Sequence, residues 1–512
     1  MTNRVSKIVN LDEAGIWASA QRAEGQAIAL CHGVFDLLHP GHLTHLDEAR
    51  SLSDKLVVTV TSDDYVNKGP GRPFLTAEQR AEMLAALEMV DLVAISPFES
   101  GTKAIGLIRP HFYVKGPDYS SPEKDSTGNM VREIEALTEV GGKLHITSGA
   151  TMSSSRIRNE LMLAKNDETS RFLESFRARI SQADVDNVFE SLSQLKVLVV
   201  GESIIDTYIM SEALGKSSKD PVLAFRPMSS ESQLGGALAI ARHTAGIGAR
   251  TSVLTRIGHS DNWSERIAKE MESEIDLHLL ESQDEPTIEK TRYVDSLTGT
   301  KVFETYKIGD SISSRDDSTK FANEIRRLAE QFDLVLVADY GHGLFDTVAI
   351  QALSEHSKKL AVNTQSNAGN RGFNTISKYP RLDIVCLNGS EVALEMRNRH
   401  LAISDLVPEF LAKTKAEFVA ITSGSKGLTY GVNSTNGPTV SSVPAFATRV
   451  VDRVGAGDAL FAALATALCA GADPMLAALM GNLAGAASIA ELGNRIALDR
   501  VSLSRHVAAL IK

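Results

Sequence analysis

The sequence predicts an α/β protein built of two doubly wound domains in tandem. Short apolar runs of strand length alternate with longer stretches of helical periodicity, the pattern of βαβ units on a parallel sheet. The alternation lapses over residues 163–195, which are charged, helix-prone and free of Gly and Pro, and it restarts on Lys196-Val197-Leu198-Val199-Val200-Gly201. With 512 residues, each half is long enough to bury its own core. The expected division is a first domain over 1–162, a helical connector over 163–195 and a second domain over 196–512.

In the first domain, Ala27–Cys31, Lys55–Val60 and Asp91–Ile95 read as buried parallel strands. Leu43–Ala49 and Thr76–Met89 read as helices between them, with Thr76 as N-cap and Gln79 three residues on completing a capping box. In the second, strands are expected at Lys196–Gly201, Asp333–Ala338, Leu360–Asn363, Asp383–Leu387 and Phe418–Thr422, followed by Ala- and Gly-rich helix from Gly457 to Leu492. No short-period repeat or low-complexity tract interrupts the pattern.

Composition narrows the partners. Lys and Arg number 53 against 64 Asp and Glu, a net charge of −11, so the cation excess that holds nucleic acid is missing. Local basic pockets for small phosphorylated ligands remain open. Cys31, Cys386 and Cys469 match neither a zinc motif nor a disulfide framework, and a reduced, cytoplasmic setting is expected. Met1–Ile16 carries scattered charges and no apolar core of a signal peptide, and no apolar run reaches the ~18 residues of a membrane span.

Strand Ala27–Cys31 runs into His32-Gly33-Val34-Phe35-Asp36-Leu37-Leu38-His39-Pro40-Gly41-His42. A loop at the carboxyl end of a first parallel strand, feeding a helix, is where α/β folds bind phosphates. Two histidines around a glycine can aim imidazole N–H groups at one point, Gly41 lets backbone approach, and the helix dipole adds positive potential. That set suits a pentavalent phosphoryl transition state. Arg80, Lys115-Gly116 and Ser153-Ser154-Ser155-Arg156-Ile157-Arg158 follow in order. With these four pieces, residues 27–162 resemble the cytidylyltransferase-like nucleotidyltransferases. The resemblance implies that His39 and His42 contact the nucleotide phosphates, with Gly33, Phe35 and Gly41 in the same binding loop. It implies that Ser154, Ser155 and Arg158 hold the β,γ-phosphates, that Arg80 lies near the nucleotide, and that Lys115 lies near the acceptor phosphate as a catalytic residue. The acceptor phosphate would attack the nucleotide α-phosphate directly. The segment Ser148-Gly149-Ala150-Thr151-Met152-Ser153 lacks the glycerol-phosphate cytidylyltransferase signature, which favours ATP and leaves CTP open.

Val450-Val451-Asp452-Arg453-Val454-Gly455-Ala456-Gly457-Asp458 opens a helix. Gly-Ala-Gly at a helix start presents a row of backbone N–H groups, an anion hole for a transferring phosphoryl group, and Asp458 can accept the proton of an attacking hydroxyl. Asp206, Gly235-Gly236, Asn388-Gly389-Ser390-Glu391 and Thr422-Ser423-Gly424-Ser425-Lys426-Gly427 stand in order before it. This set resembles the ribokinase-like carbohydrate kinases over residues 196–512. By that resemblance Asp458 is the catalytic base and Gly455, Ala456 and Gly457 form the anion hole. Asn388 and Glu391 organise Mg2+ and phosphates, Glu391 acting on the metal indirectly. Thr422, Gly424 and Gly427 line the ATP site, and Asp206, Gly235 and Gly236 contact the sugar. Such kinases pair through a small β-lid, which Thr287–Ile308 could supply, so a homodimer is expected. Two departures stand out: Val454 where the family often has Thr, and Asn363-Thr364-Gln365-Ser366-Asn367 where close relatives often carry Asp-Pro-Lys.

Phosphorylating an anomeric hydroxyl makes a sugar 1-phosphate, the kind of monoester that a nucleotidyltransferase consumes. The pair resembles the bifunctional heptose 7-phosphate kinase and heptose 1-phosphate adenylyltransferase family, with the two domains in reversed order. The expected partners are therefore a heptose-like sugar phosphate and nucleotides. Two other readings stay open, a pair of enzymes with unlinked substrates and a pseudoenzyme that senses a sugar nucleotide.

Overall fold

A computed structural model describes residues 7–66, 73–116, 129–147, 167–271, 275–309, 315–370, 372–434 and 437–511. The chain divides into two compact units, Met1–Asp167 and Glu168–Ile511.

The first unit runs β1 (Ile8–Asn10), α1 (Leu11–Ala23), β2 (Ile28–Gly33), α2 (Pro40–Ser51), β3 (Lys55–Thr61), α3 (Ala77–Ala85), β4 (Leu92–Ser96), α4 (Thr102–Ile108), β5 (Phe112–Lys115), α5 (Asn129–Glu139) and β6 (Lys143–Ile146). The strands form one parallel sheet in the order β1-β4-β3-β2-β5-β6. Strand side chains alternate between faces, and both faces are apolar here. Ala29 and Cys31 of β2 join Leu46 of α2 and Leu84 of α3 on one side, while Ile28 and Leu30 join Ala14 and Ala18 of α1 and Ile105 of α4 on the other. Each fully buried Leu or Ile contributes about 1.5–3 kcal/mol, so two such layers hold the unit. Thr76 caps α3 in the expected box with Gln79. The helix ends at Ala85 rather than Met89, because a turn at Ala86–Leu87 carries the chain back to bury Val90 beneath the sheet.

The chain reverses direction across the sheet at β2, whose followers β3 and β4 lie to one side and β5 and β6 to the other. The crevice outside β2 and β5 is thus the topological switch point, where α/β sheets bind ligands.

The second unit opens with α6 (Asp167–Arg179) and α7 (Gln182–Leu192). The stretch read as a connector contributes two packed helices, broken where Ser181 caps α7 through Asp184. Phe176 is fully buried and Phe172 packs on Phe446, which ties the segment into this unit. There follow β7 (Lys196–Lys216), β8 (Leu223–Gly236), α8 (Ala237–Gly246), β9 (Arg250–Gly258), α9 (Trp263–Glu270), β10 (Asp276–Ser282), β11 (Ile288–Asp295), β12 (Lys301–Lys307), α10 (Arg315–Ala329), β13 (Leu334–Asp339), α11 (Thr347–His356), β14 (Leu360–Thr364), β15 (Ile384–Asn388), α12 (Gly389–Glu395), α13 (Ile403–Thr414), β16 (Phe418–Thr422), β17 (Leu428–Val432), β18 (Thr439–Val443), α14 (Ala456–Cys469), α15 (Pro474–Ser488) and α16 (Arg500–Ile511).

The main sheet has the order β10-β9-β7-β13-β14-β15-β16-β17-β18, parallel through β16 and antiparallel in its last two strands. Its switch point lies between β7 and β13. The expected single helix from Gly457 to Leu492 is two, because Gly471 turns in the left-handed region at φ 88°, Asp473 caps Met475 and Pro474 starts a new helix.

The lid is larger than Thr287–Ile308. Strand β7 does not stop at Gly201. It pairs with β13 up to Gly201 and with β9 up to Glu202, then takes β8 and β11 as neighbours from Ser203 and Ile204 onward. The lid sheet therefore reads β8-β7-β11-β12. Among the described residues no helix is long and apolar enough to cross a membrane.

Candidate active sites

In the first unit the histidine loop stands at the switch point. Gly33 ends β2, and Phe35 turns the chain in the left-handed region at φ 51°. His39 precedes α2, and Pro40 at its first position presets the backbone that places Gly41 and His42 in the first turn. The rings of His39 and His42 stack with centroids 3.8 Å apart, and Phe35 lies 5.4 Å from His42. His39 is 6 % exposed, and neither of its ring nitrogens has a hydrogen-bond partner among the described residues. Burial lowers its pKa and so favours the neutral ring, which can donate from one nitrogen and accept at the other.

Lys115 ends β5, the strand beside β2, at the same carboxyl edge of the sheet as the histidine loop. Its ammonium is 2.9 Å from Glu133 of α5 and 5.0 Å from the Tyr113 ring centroid. The other Glu133 oxygen accepts from the Gly101 N–H at 2.6 Å. Sequence reasoning passed over Glu133 because a glutamate on an amphipathic helix carries no motif.

Arg80 lies beneath the histidine loop. Its side chain is wholly buried, and its guanidinium donates to the carbonyls of Leu75, Val34 and Thr61 and to Asp63. It ties the segment after β2 to the end of β3. Ser154, Ser155 and Arg158 lie outside the described residues.

In the second unit Gly455 caps α14 at φ 83°, and a Cβ there would lie 1.9 Å from Asn494 Oδ1. Ala456 and Gly457 form the first turn, and Asp458 follows within it. Desolvation pushes the Asp458 carboxyl up to about 7, with Asp206 raising it further while Tyr340 and Lys290 oppose. The Tyr340 hydroxyl donates to Asp458 Oδ1 at 2.7 Å.

Asp206 sits on β7 beyond the switch point. It is paired with Arg292 of β11 and accepts from Asn494 Nδ2 at 3.3 Å. Gly235 and Gly236 end β8 against Ile204 and Ser203, and a Cβ on Gly235 would lie 2.2 Å from Asp206 Oδ2. Only glycine there admits the carboxylate. Lys290 of β11, 6 % exposed, lies 5.7 Å from the Tyr340 ring and 5.5 Å from that of Tyr306. Tyr340, Lys290, Arg292 and Asn494 were not foreseen, for only the tertiary fold brings them to Asp458 and Asp206.

Asn388 and Thr422 are register partners at the carboxyl ends of β15 and β16. Asn388 caps α12 in a box with Glu391, whose carboxylate accepts from the N–H groups of Asn388 at 2.8 Å and Ser366 at 3.0 Å. Burial raises the Glu391 pKa. Gly424 at φ 56° and Gly427 at φ 88° shape the turn after β16. Among the described residues no cluster of three or more His, Cys, Asp or Glu could cage a metal. This donor set fits an Mg2+ carried on nucleotide phosphates and reached by Glu391 through water.

The unusual Asn363–Asn367 stretch has a structural purpose. Asn363 donates to the Cys386 carbonyl, and Asn367 and Asn370 both donate to the Tyr340 carbonyl, at 2.7 and 3.0 Å.

Comparison with known proteins agrees with this division. A family model described as pfkB family carbohydrate kinase matches residues 194–500, and one described as cytidylyltransferase-like matches residues 30–160. Among curated proteins, Bifunctional protein HldE of Pelobacter propionicus is 38% identical over 145 residues, 28% of each chain. HldE of Nitrobacter winogradskyi is 48% identical over 104 residues, 20% of this chain and 21% of that one. These matches fall in the cytidylyltransferase-like part, and the domain order is the reverse of that in HldE. The chain thus spans about a quarter of the length of the curated relatives it matches. Phosphofructokinase-2 from Escherichia coli in complex with fructose-6-phosphate superposes with a TM-score of 0.51 at 14% identity, covering 62% of this chain and 100% of that one. Its complex with potassium superposes equally, at 16% identity over the same shares, and both are likenesses of fold.

Proposed function

Because the chain belongs to the pfkB family of carbohydrate kinases, we propose that its second unit transfers the γ-phosphoryl group of ATP to a sugar hydroxyl, and that its cytidylyltransferase-like first unit joins the resulting sugar 1-phosphate to a nucleotide. The observation that carries the kinase reading is Asp458, poised in the first turn of α14 behind the Gly455 cap and in the same crevice as Asp206. Asp458 takes the proton of the acceptor hydroxyl, and the freed oxygen attacks the γ-phosphorus while ADP leaves. N–H groups at the start of α14 hold the negative charge of the transferring group. Asp206, braced by Arg292 and Asn494, orients the sugar against the Gly235-Gly236 turn. Mg2+ would offset charge on the nucleotide phosphates, with Glu391 acting through water.

In the first unit the sugar 1-phosphate oxygen attacks the nucleotide α-phosphorus and pyrophosphate leaves, so no protein nucleophile is required. His39 and His42 donate to the phosphate oxygens, and Lys115 steadies the incoming monoester. Ser154, Ser155 and Arg158 are proposed to grip the β,γ-phosphates. The first acceptor is a heptose-like sugar phosphate used at its anomeric hydroxyl, and ATP is the expected nucleotide of both steps. The HldE likeness of the first unit and the consecutive chemistry of the two sites support this choice. Pairing of two copies through the lid is also expected. The lid leaves Leu223, Met228 and Phe303 at 66%, 60% and 46% exposure, and light scattering would reveal a dimer.

The full chain should be incubated with ATP, CTP, Mg2+ and a panel of heptose 7-phosphate, fructose 6-phosphate, ribose 5-phosphate and unphosphorylated sugars. ADP and pyrophosphate are then followed separately. Release of both, with pyrophosphate dependent on the product of the first step, is the expected result. ADP from one sugar and pyrophosphate only with an unrelated monoester would replace the consecutive reading with two unlinked activities.

A further inference from the structure

We infer that Tyr340 is a positioning residue for Asp458, determining which carboxylate oxygen meets the acceptor hydroxyl, and that Asn367 and Asn370 hold it in place for that task. The inference rests on the reading of Asp458 as the kinase base.

Geometry supplies the argument. The Tyr340 hydroxyl engages Asp458 Oδ1 at 2.7 Å, while Oδ2 has no hydrogen bond among the described residues. One oxygen is therefore anchored and the other is left to take the proton. The ring cannot follow a moving carboxylate, because its main chain is held on both sides. The Tyr340 N–H donates to Glu202 at 2.6 Å, its carbonyl accepts from Asn367 and Asn370, and the His342 N–H donates to the second Glu202 oxygen at 2.7 Å. Lys290 lies over the ring at 5.7 Å from its centroid. Tyr340 is only 4 % exposed, so water does not compete for the bond.

The electrostatics point the same way. The groups around Asp458 are Tyr340 after β13, Asp206 of β7, Lys290 of β11 and Cys386 of β15. Desolvation and Asp206 favour the protonated acid, while Tyr340 and Lys290 favour the carboxylate. Burial, with Asp458 and Glu202 nearby, raises the Tyr340 hydroxyl well above its ordinary value, so it remains a donor throughout the working pH range. A donor to the charged form of an acid lowers its pKa. Tyr340 thereby fixes the direction of Asp458 and also keeps more of it in the proton-accepting state.

The test is Tyr340→Phe in the full chain, with the panel sugar that yields most ADP. The acidic limb of kcat/KM should move up by about one pH unit, giving a loss of roughly tenfold near neutrality that narrows to a few-fold in alkali. KM for ATP should stay within about twofold, and pyrophosphate release from supplied sugar 1-phosphate should be unchanged. An equal loss at every pH, or none, would reduce Tyr340 to a packing residue. Asn367→Ala with Asn370→Ala should move the limb in the same direction by a smaller amount. An unmoved limb there would remove the two asparagines from the inference. Asp458→Asn supplies the control: if it still releases ADP, the base is elsewhere and the underlying reading fails. If it is inactive while Tyr340→Phe titrates like the parent, the positioning role alone fails.

Discussion

The two switch-point crevices solve one problem, holding phosphate chemistry at the carboxyl ends of parallel strands, in opposite ways. In the first unit the buried His39 is left open. His39 has two ring nitrogens without partners among the described residues, stacked against His42, and the charged side chains behind them are engaged elsewhere, Lys115 with Glu133 and Arg80 with backbone carbonyls. In the second unit the side chains are wired to one another, Asp206 to Arg292 and Asn494, and Asp458 to Tyr340. A site that stabilises charge on a passing phosphate can wait with free donors. A site that must remove a proton from a chosen hydroxyl needs its base aimed beforehand, and aiming takes fixed neighbours.

That contrast can be broken in order of expected effect. Replacing the base, Asp458→Asn, should lower ADP release by about a thousandfold and leave pyrophosphate release from supplied sugar 1-phosphate intact. Equal loss of both activities in a folded protein would show that the crevices are not independent. His39→Ala should do the reverse, lowering pyrophosphate release by about a hundredfold with ADP release unchanged, in line with loss of one oxyanion donor. Gly455→Ala must place a Cβ against Asn494 at a left-handed φ. It should destabilise the second unit by about 1–3 kcal/mol, read by denaturant melts, and weaken the grip of Asn494 on Asp206. The smallest effect is one of pH. Asp458 is held up to about 7, and as the proposed base it should make the kinase rate rise with pH through that value. A kinase rate flat from pH 5 to 9 would contradict it.

Much of this was legible because strands buried on both faces announce themselves. Lys55–Val60 and Phe418–Thr422 are continuous apolar runs and appear as strands. The lid was not legible in the same way. Leu223–Gly236 is polar over Ser229–Gln233 and exposed over Arg226–Glu231, without alternation, and it is a strand only because β7 lies beside it. Motifs marked the loops, since Gly455-Ala456-Gly457-Asp458 must be local in sequence to work. They could not show which way a side chain faces. Arg80 has the family position and points into the protein, whereas Tyr340 has no motif and touches Asp458. The departure at Asn363–Asn367 contributes Asn367, which with Asn370 braces Tyr340.

One strand, β7, belongs to two sheets, leaving its core neighbours at Glu202 and taking its lid neighbours at Ser203. Mechanically it is a cantilever, with its root clamped between β9 and β13 and its free arm carrying Asp206. Such a lid has no loop hinge on this strand. The passage from one sheet to the other falls at Gly201–Ser203 and includes Glu202, the glutamate that holds Tyr340 and His342. Asp206 on the arm and the Glu202 anchor of Tyr340 thus lie four residues apart on one continuous strand, so the proposed sugar contact and the proposed alignment of Asp458 share a single mechanical element.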